Sequence, residues 1–304
     1  MPTANEIKSH IKSIRDTQKI TNAMYLIASM KMRKAKRELD ATRPFFEAVS
    51  TEIKRVFRTQ KDVKSPYFYP PEGEQPLNGT YAMLVITADK GMAGAYNQNV
   101  LKMAEEALKA HPDTKLFVVG EYGRQYFLKK KIPVERNFLY TAQNPSMDRA
   151  REICVALMDL YDKREIQKIY VLYTDYQSGM LMEPKNVRIL PFHRSTFHSD
   201  TVEKAVAQEF EFLPSLERVL DRLVPSYVSG FIYSALVDSF CSEQESRMSA
   251  MSAANDNALE MIQDLQAQYN RIRQTAITQE ITEVTSGARA LKKHDEIESG
   301  EINR

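Results

Sequence analysis

The stretch Met248–Ala276, MSAMSAANDNALEMIQDLQAQYNRIRQTA, decides the reading of this chain. Apolar or small residues recur in it at Met251, Ala254, Ala258, Ile262, Leu265, Tyr269, Ile272 and Ala276. The gaps are three and four, the seam of a coiled-coil helix. The register then slips, and a second run follows through Ile277, Ile281, Val284, Ala288 and Leu291. No proline follows Pro225, and glycine occurs after it only at Gly230, Gly287 and Gly300. The pattern predicts a helix over residues 226–291, a rod of roughly 95 Å at about 1.5 Å per residue. Such a helix needs a partner for its stripe in water.

The other end of the chain offers one. Residues 1–58 read as a second long helix, with Asn5 as N-cap and apolar positions at Ile7, Ile11, Ile14, Met24, Ile27, Ala35 and Leu39. Pro44 removes one backbone hydrogen bond and is a candidate kink. The two helices are expected to pair antiparallel. The first is basic, with 13 Lys/Arg against 6 Asp/Glu up to Arg58, and its positives crowd at Lys31, Arg33, Lys34, Lys36 and Arg37. A run of this kind reads first as a solvated face and more sharply as a contact for an acidic partner.

Between the helices the pattern changes. Residues 59–80 are rich in proline and read as a linker whose aromatics Tyr67, Phe68 and Tyr69 pack on a neighbour. From Tyr81, strand-like runs (YAMLVIT, KLFVVG, KIYVLYT, NVRILPF) alternate with helical segments, among them 146–163 capped by Ser146. Val134–Tyr140 is a further candidate strand. The expectation is a Rossmann-like α/β domain, residues 81–225, inserted between N- and C-terminal helices that form an antiparallel coiled coil. Residues 292–304 follow as a charged tail expected to be poorly ordered.

Composition bounds the function. The 304 residues carry a net charge of only +2, which argues against a general nucleic-acid or membrane-surface binder. Two distant cysteines, Cys154 and Cys241, form neither a disulfide framework nor a metal pattern. No run approaches the ~20 apolar residues of a membrane span, and no signal peptide is recognisable. The chain is expected to be soluble and intracellular, without direct membrane insertion. ADKGMAGAYN, Ala88–Asn97, follows the first strand but matches neither a phosphate loop nor the three-glycine dinucleotide fingerprint. It reads as a tight turn needing positive φ at a glycine. The histidines show no metal spacing, and His193 and His198 read as surface residues. No catalytic, cofactor or metal site is expected.

Several motifs are similar to those of a known family. DTQKITNAM (Asp16–Met24), LVITADKGMAGAYN (Leu84–Asn97), SRMSAMSAANDNA (Ser246–Ala258) and YNRIRQTAITQEITEVTSGA (Tyr269–Ala288) resemble, in order, the γ subunits of F-type ATP synthases. The resemblance implies a non-catalytic rotor shaft inside a ring of three α and three β subunits, with the globular end on the membrane c-ring beside the ε subunit. It implies the cytoplasmic face of a bacterial membrane. It also implies coupling contacts with β at Met24, Arg247, Gln274 and Thr278, with Arg273 beside them and the cluster Lys31, Arg33, Lys34 facing an acidic loop. Ile277, Ile281, Val284 and Leu291 would form the shaft tip, running in an apolar sleeve. The coupling ion, H⁺ or Na⁺, is not encoded here. Two other classes remain, an α/β enzyme with helical arms and a coiled-coil adaptor. The first would need a convergent polar site, the second extended heptads on both helices.

Overall fold

The computed structural model describes residues 3–59, 65–68, 79–178, 181–192 and 215–301. Its elements are α1 (Ala4–Thr59), β1 (Tyr81–Ile86), α2 (Tyr96–Ala110), β2 (Lys115–Val119), α3 (Glu121–Lys129), α4 (Met147–Asp162), β3 (Lys168–Ser178), β4 (Leu181–Leu190) and α5 (Leu216–Glu301). The chain divides into two units, Met1–Tyr25 with Met251–Arg304, and Leu26–Ala250.

The first unit is a helix pair. Ile7 and Ile11 of α1 are buried with Ile262 of α5, and Ile14, Leu265, Tyr269 and Ile272 pack around them. Further along α1, Thr21 donates to the Asn255 side chain. Contacts thus move down α5 as they move up α1, so the pair is antiparallel. Helix α1 starts two residues earlier than Asn5 would set it. Thr3 Oγ1 accepts from the Glu6 N–H at 3.3 Å, and Glu6 Oε2 accepts from the Thr3 N–H at 2.8 Å. This is a reciprocal capping box, which satisfies two orphan donors where Asn5 would satisfy one.

The second unit is built on a four-stranded sheet in the order β2-β1-β3-β4. Strand β1 runs parallel to β2 and β3, and β4 is antiparallel to β3. Alternation of side chains sorts the core into two layers. Ala82, Leu84, Ile86, Phe117, Val119, Ile169 and Val171 face one cluster, with Ile153 and Leu157 of α4. Met83, Val85, Leu116, Val118 and Leu172 face the other, under Val100 and Leu101 of α2 and Phe127 of α3. The first cluster also takes in Leu39 and Ile53 of α1 and Val228, Ile232 and Leu236 of α5. Within this unit the two terminal helices are therefore a layer of the domain, covering one sheet face, and not separate from it.

Several boundaries differ from expectation. Helix α5 begins at Leu216 and carries Pro225 inside it. The lost backbone hydrogen bond is offset by burial on either side, with Leu220, Val224 and Val228 at 1% exposure or less. Pro44 is likewise inside an unbroken α1. The helix also continues through the charged segment to Glu301, in place of a poorly ordered tail. Lys292, Lys293, Glu296 and Glu298 are good helix formers, and no proline stops them. Val134–Tyr140 forms no strand; Glu135 N–H donates to Leu116 O and Gly120 N–H to Tyr140 O, two isolated bonds rather than a ladder. Strands β3 and β4 are longer than the apolar runs that suggested them. Ser146 caps α4 as expected, accepting from Arg149 N–H at 3.3 Å. Tyr67 stacks on Tyr161 and Phe68 lies tilted against Phe192, while Tyr69, His193 and His198 lie outside the described residues. No described helix is long and apolar enough to cross a membrane.

One carboxyl in this core sets a pH dependence. Asp238 of α5 is pushed up to about 7, first by burial and then by the Asp175 carboxylate. The Ser234 hydroxyl, which donates to it at 3.4 Å, and the cations Arg43 and Lys185 only partly counter this. A folded pKa above the unfolded value means that the folded state holds the extra proton. Stability therefore falls as pH rises from about 4 to about 7, by at most about 4 kcal/mol. Asp238→Asn is expected to raise the melting temperature of the purified chain at pH 8 and to leave it unchanged at pH 4. Equal melting curves at pH 8 would contradict this.

Candidate functional site

In an open α/β sheet the ligand crevice lies where the strand order reverses, at the carboxyl ends of the strands. Here that point follows β1, which has β2 on one side and β3 on the other. The chain closes it with its own groups. Thr87 Oγ1 donates to Val119 O at 3.0 Å and accepts from Gly123 N–H at 3.1 Å. Gly120 has φ 96°, and a Cβ there would stand 2.3 Å from Thr87 O, so only glycine fits. Asp89 Oδ1 accepts from Glu121 N–H at 3.0 Å, at the start of α3. Its Oδ2 accepts from the N–H groups of Ala142 and Gln143, each at 3.1 Å, and from the Thr141 hydroxyl. The donors that would meet a phosphate are satisfied by this carboxylate. The turn reading holds for Gly94, at φ 52°, and Met92 also has positive φ, at 61°.

Arg247 comes to the same turn from α5. Its Nη2 donates to Gly91 O at 3.2 Å, and its Nη1 lies 2.7 Å from Glu243 Oε1. Arg247 is 8% exposed and Glu243 1%. Burial pushes the Glu243 carboxyl up, with the guanidinium working against it. Glu243 Oε2 has no hydrogen-bond partner among the described residues. Among the described residues no cluster of His, Cys, Asp or Glu could hold a metal.

The remaining candidates are on helix surfaces. Lys31, Arg33 and Lys34 are exposed on α1. Lys31 Nζ donates to Gln143 Oε1 at 2.9 Å, Arg33 Nε to Ser29 O at 3.4 Å, and Lys34 lies 3.8 Å from Glu38. The Arg33 and Lys34 contacts stay within α1 and are worth little, whereas the Lys31 bond crosses to the 141–143 loop. In the other unit, Met24 is half-buried, and Arg273, Gln274 and Thr278 are exposed. Ile277, Ile281 and Val284 are 42%, 61% and 68% exposed. Leu291 lies in α5 beyond the last described side chain.

The family model for ATP synthase matches residues 3–291. An ATP synthase gamma chain of Acetivibrio thermocellus is 42% identical over 297 residues, covering 96% of this chain and all of that one. One of Caldanaerobacter subterraneus is 41% identical over 291 residues, covering 93% and 98%. The chain belongs to the ATP synthase gamma chain family. It is a non-catalytic subunit of that complex. Among solved structures it resembles the central stalk and c-ring of the Tetrahymena thermophila mitochondrial ATP synthase, at TM-score 0.55 and 23% identity, over 77% of this chain and 99% of that one. It also resembles the rotor of the Euglena gracilis enzyme, at TM-score 0.59 and 13% identity, over 90% and 98%.

For a gamma chain this geometry separates the residues that sequence placed together. Arg33 and Lys34 are exposed with contacts only inside α1, while Lys31 is tied to Gln143. Arg247 is engaged inside its own chain. Glu243 was not singled out from sequence; a Glu four residues before an Arg on a helix was the only available signal, and it is a common one.

Proposed function

We propose that this chain is the central rotor shaft of a bacterial F-type ATP synthase, turning inside a ring of three α and three β subunits on the cytoplasmic side of the membrane. The observation that carries the reading is the antiparallel helix pair of the first unit, with an α5 face left exposed at Ile277, Ile281 and Val284. The bacterial relatives and the matched central-stalk and rotor structures support it. The ε subunit and the c-ring are the partners at the globular end. An asymmetric shaft meets three equivalent β subunits with three different surfaces. Each site is then in a different state, and rotation exchanges the states. Met24, Arg273, Gln274 and Thr278 are the contacts available to β on the helix pair. Arg247 reaches β only by releasing Glu243 and Gly91.

Co-purification tests the reading. The tagged chain is expected to bring α and β subunits in fixed ratio from its own membranes, and a preparation without them would overturn it. The basic cluster gives a finer test. Reversing Lys31, Arg33 and Lys34 to glutamate together is expected to lower ion pumping per ATP by about fivefold. The effect should shrink with added salt, because exposed charges are screened beyond ~10 Å at 0.1 M. Unchanged pumping per ATP in membrane vesicles would make the cluster a solvated face.

A further inference from the structure

We infer that the turn Asp89–Gly94 is a collar that fixes the twist of the two shaft helices against the α/β domain, with Asp89 as its positioning residue. The inference rests on the shaft reading above and adds a role to the closed crevice. The interdigitated apolar core holds the two helices on the sheet. Directional bonds add an angular restraint to it, and the turn gathers them. On one side Arg247 of α5 donates to Gly91 O and is held by Glu243. On the other, Lys31 of α1 donates to Gln143, whose own N–H donates to Asp89 Oδ2. Asp89 thus joins the turn, the start of α3 and the 141–143 loop through three backbone N–H groups. Bonds to an ionised acceptor are about twice as strong as neutral ones. Ala93 and Tyr96 are buried beside Ala88, and a Cβ on Gly94 would lie 3.9 Å from Ser246 O, so the turn also packs along α5.

The position of these ties fits a collar. The unit that contains the sheet ends at Leu26 on α1 and at Ala250 on α5. Lys31 and Arg247 both lie within about a turn and a half of those ends. Torque carried by α1 and α5 loads this turn. Without it, the pair would yield by twisting before the domain followed, and ATP would be hydrolysed with less ion moved.

The test uses the assembled synthase in inverted membrane vesicles, with Asp89→Ala, Asp89→Asn and Gln143→Ala beside the parent. Hydrolysis and ATP-driven pumping are measured on the same vesicles. Hydrolysis is expected to stay within about twofold, while pumping per ATP falls about fivefold or more in Asp89→Ala. Asp89→Asn, which keeps one acceptor oxygen, should fall less, and Gln143→Ala least. Hydrogen exchange at residues 89–94 and 141–143 should rise in the same order. The collar is overturned if pumping per ATP stays at the parental value, or if hydrolysis and pumping fall in step. If Asp89→Ala does not assemble, the other two variants decide: raised exchange with an unchanged ratio overturns the collar, and a lowered ratio supports it. Failure of the shaft reading would look different, because the chain would then be missing from the purified α and β complex.

Discussion

Replacing Gly230 with valine is expected to destabilise the chain by about 3 kcal/mol or more and to prevent its assembly. Gly230 is inside α5, where glycine costs about 1 kcal/mol relative to alanine. Its presence needs a reason, and Phe46 of α1 is the reason. A Cβ on Gly230 would stand 2.1 Å from Phe46 Cδ1 and 2.3 Å from Cε1. The ring packs against the edge of Phe45, at 5.6 Å between centroids, and near Tyr233, at 6.0 Å, contacts it loses if it moves. Any side chain at 230 drives the ring out or the helices apart. The cause is separable by a double-mutant cycle. Gly230→Ala and Phe46→Ala should each destabilise, while the double variant should be more stable than their sum by at least about 1 kcal/mol, since the clash is gone. Additive losses in urea denaturation would mean that the two residues do not act through this contact.

The contact shows what was legible beforehand and what was not. The helix pair was readable because its seam repeats at three and four residues, and Ile262, Leu265, Tyr269 and Ile272 do cover Ile7, Ile11 and Ile14. The central strands were readable because they are buried on both faces and so are apolar without interruption. Strands β3 and β4 were read short because their far ends are polar. The Thr174–Pro184 and Asp175–Glu183 pairs are part of the ladder but give no apolar run. Pro184 is tolerated because β4 is an edge strand. Local chemistry makes Pro225 a helix boundary, and tertiary burial overrides it. The capping box Thr3–Glu6 is legible in the sequence and competes there with Asn5 as cap; its two reciprocal bonds win. Burial of Arg247 has only the common Glu243–Arg247 spacing as a local signal, since its other partner Gly91 is 156 residues away.

The exposed end of α5 is more apolar than its composition suggests, and this sets the last expectation. Thr275, Thr278, Thr282 and Thr285 each donate their hydroxyl to the carbonyl four residues back, at 3.0, 2.9, 2.7 and 2.7 Å. With the hydroxyl hydrogen turned inward, each threonine offers a partner no free donor. Beside them stand Ile277, Ile281 and Val284, costly to leave in water at ~25 cal/mol per Å². A ring that sheathes this face gains that burial and finds little to grip. Ile281→Asp with Val284→Asp should therefore lower ATP synthesis at least tenfold, because a buried unpaired carboxylate costs several kcal/mol (roughly 1.4 kcal/mol being tenfold). Thr282→Val with Thr285→Val keeps the shape and removes only inward bonds, so synthesis should stay within about twofold of the parent. Gln274→Ala with Thr278→Ala removes the Gln274 amide and the acceptor lone pair left on the Thr278 hydroxyl, the polar groups that can still hold β, and should lower synthesis more than assembly. Deleting residues 292–304 should change neither, since the exposed apolar positions precede them. Parental synthesis in the double aspartate variant, or its loss in the double valine variant, would mean that this face is gripped through its hydroxyls and does not run as a bearing.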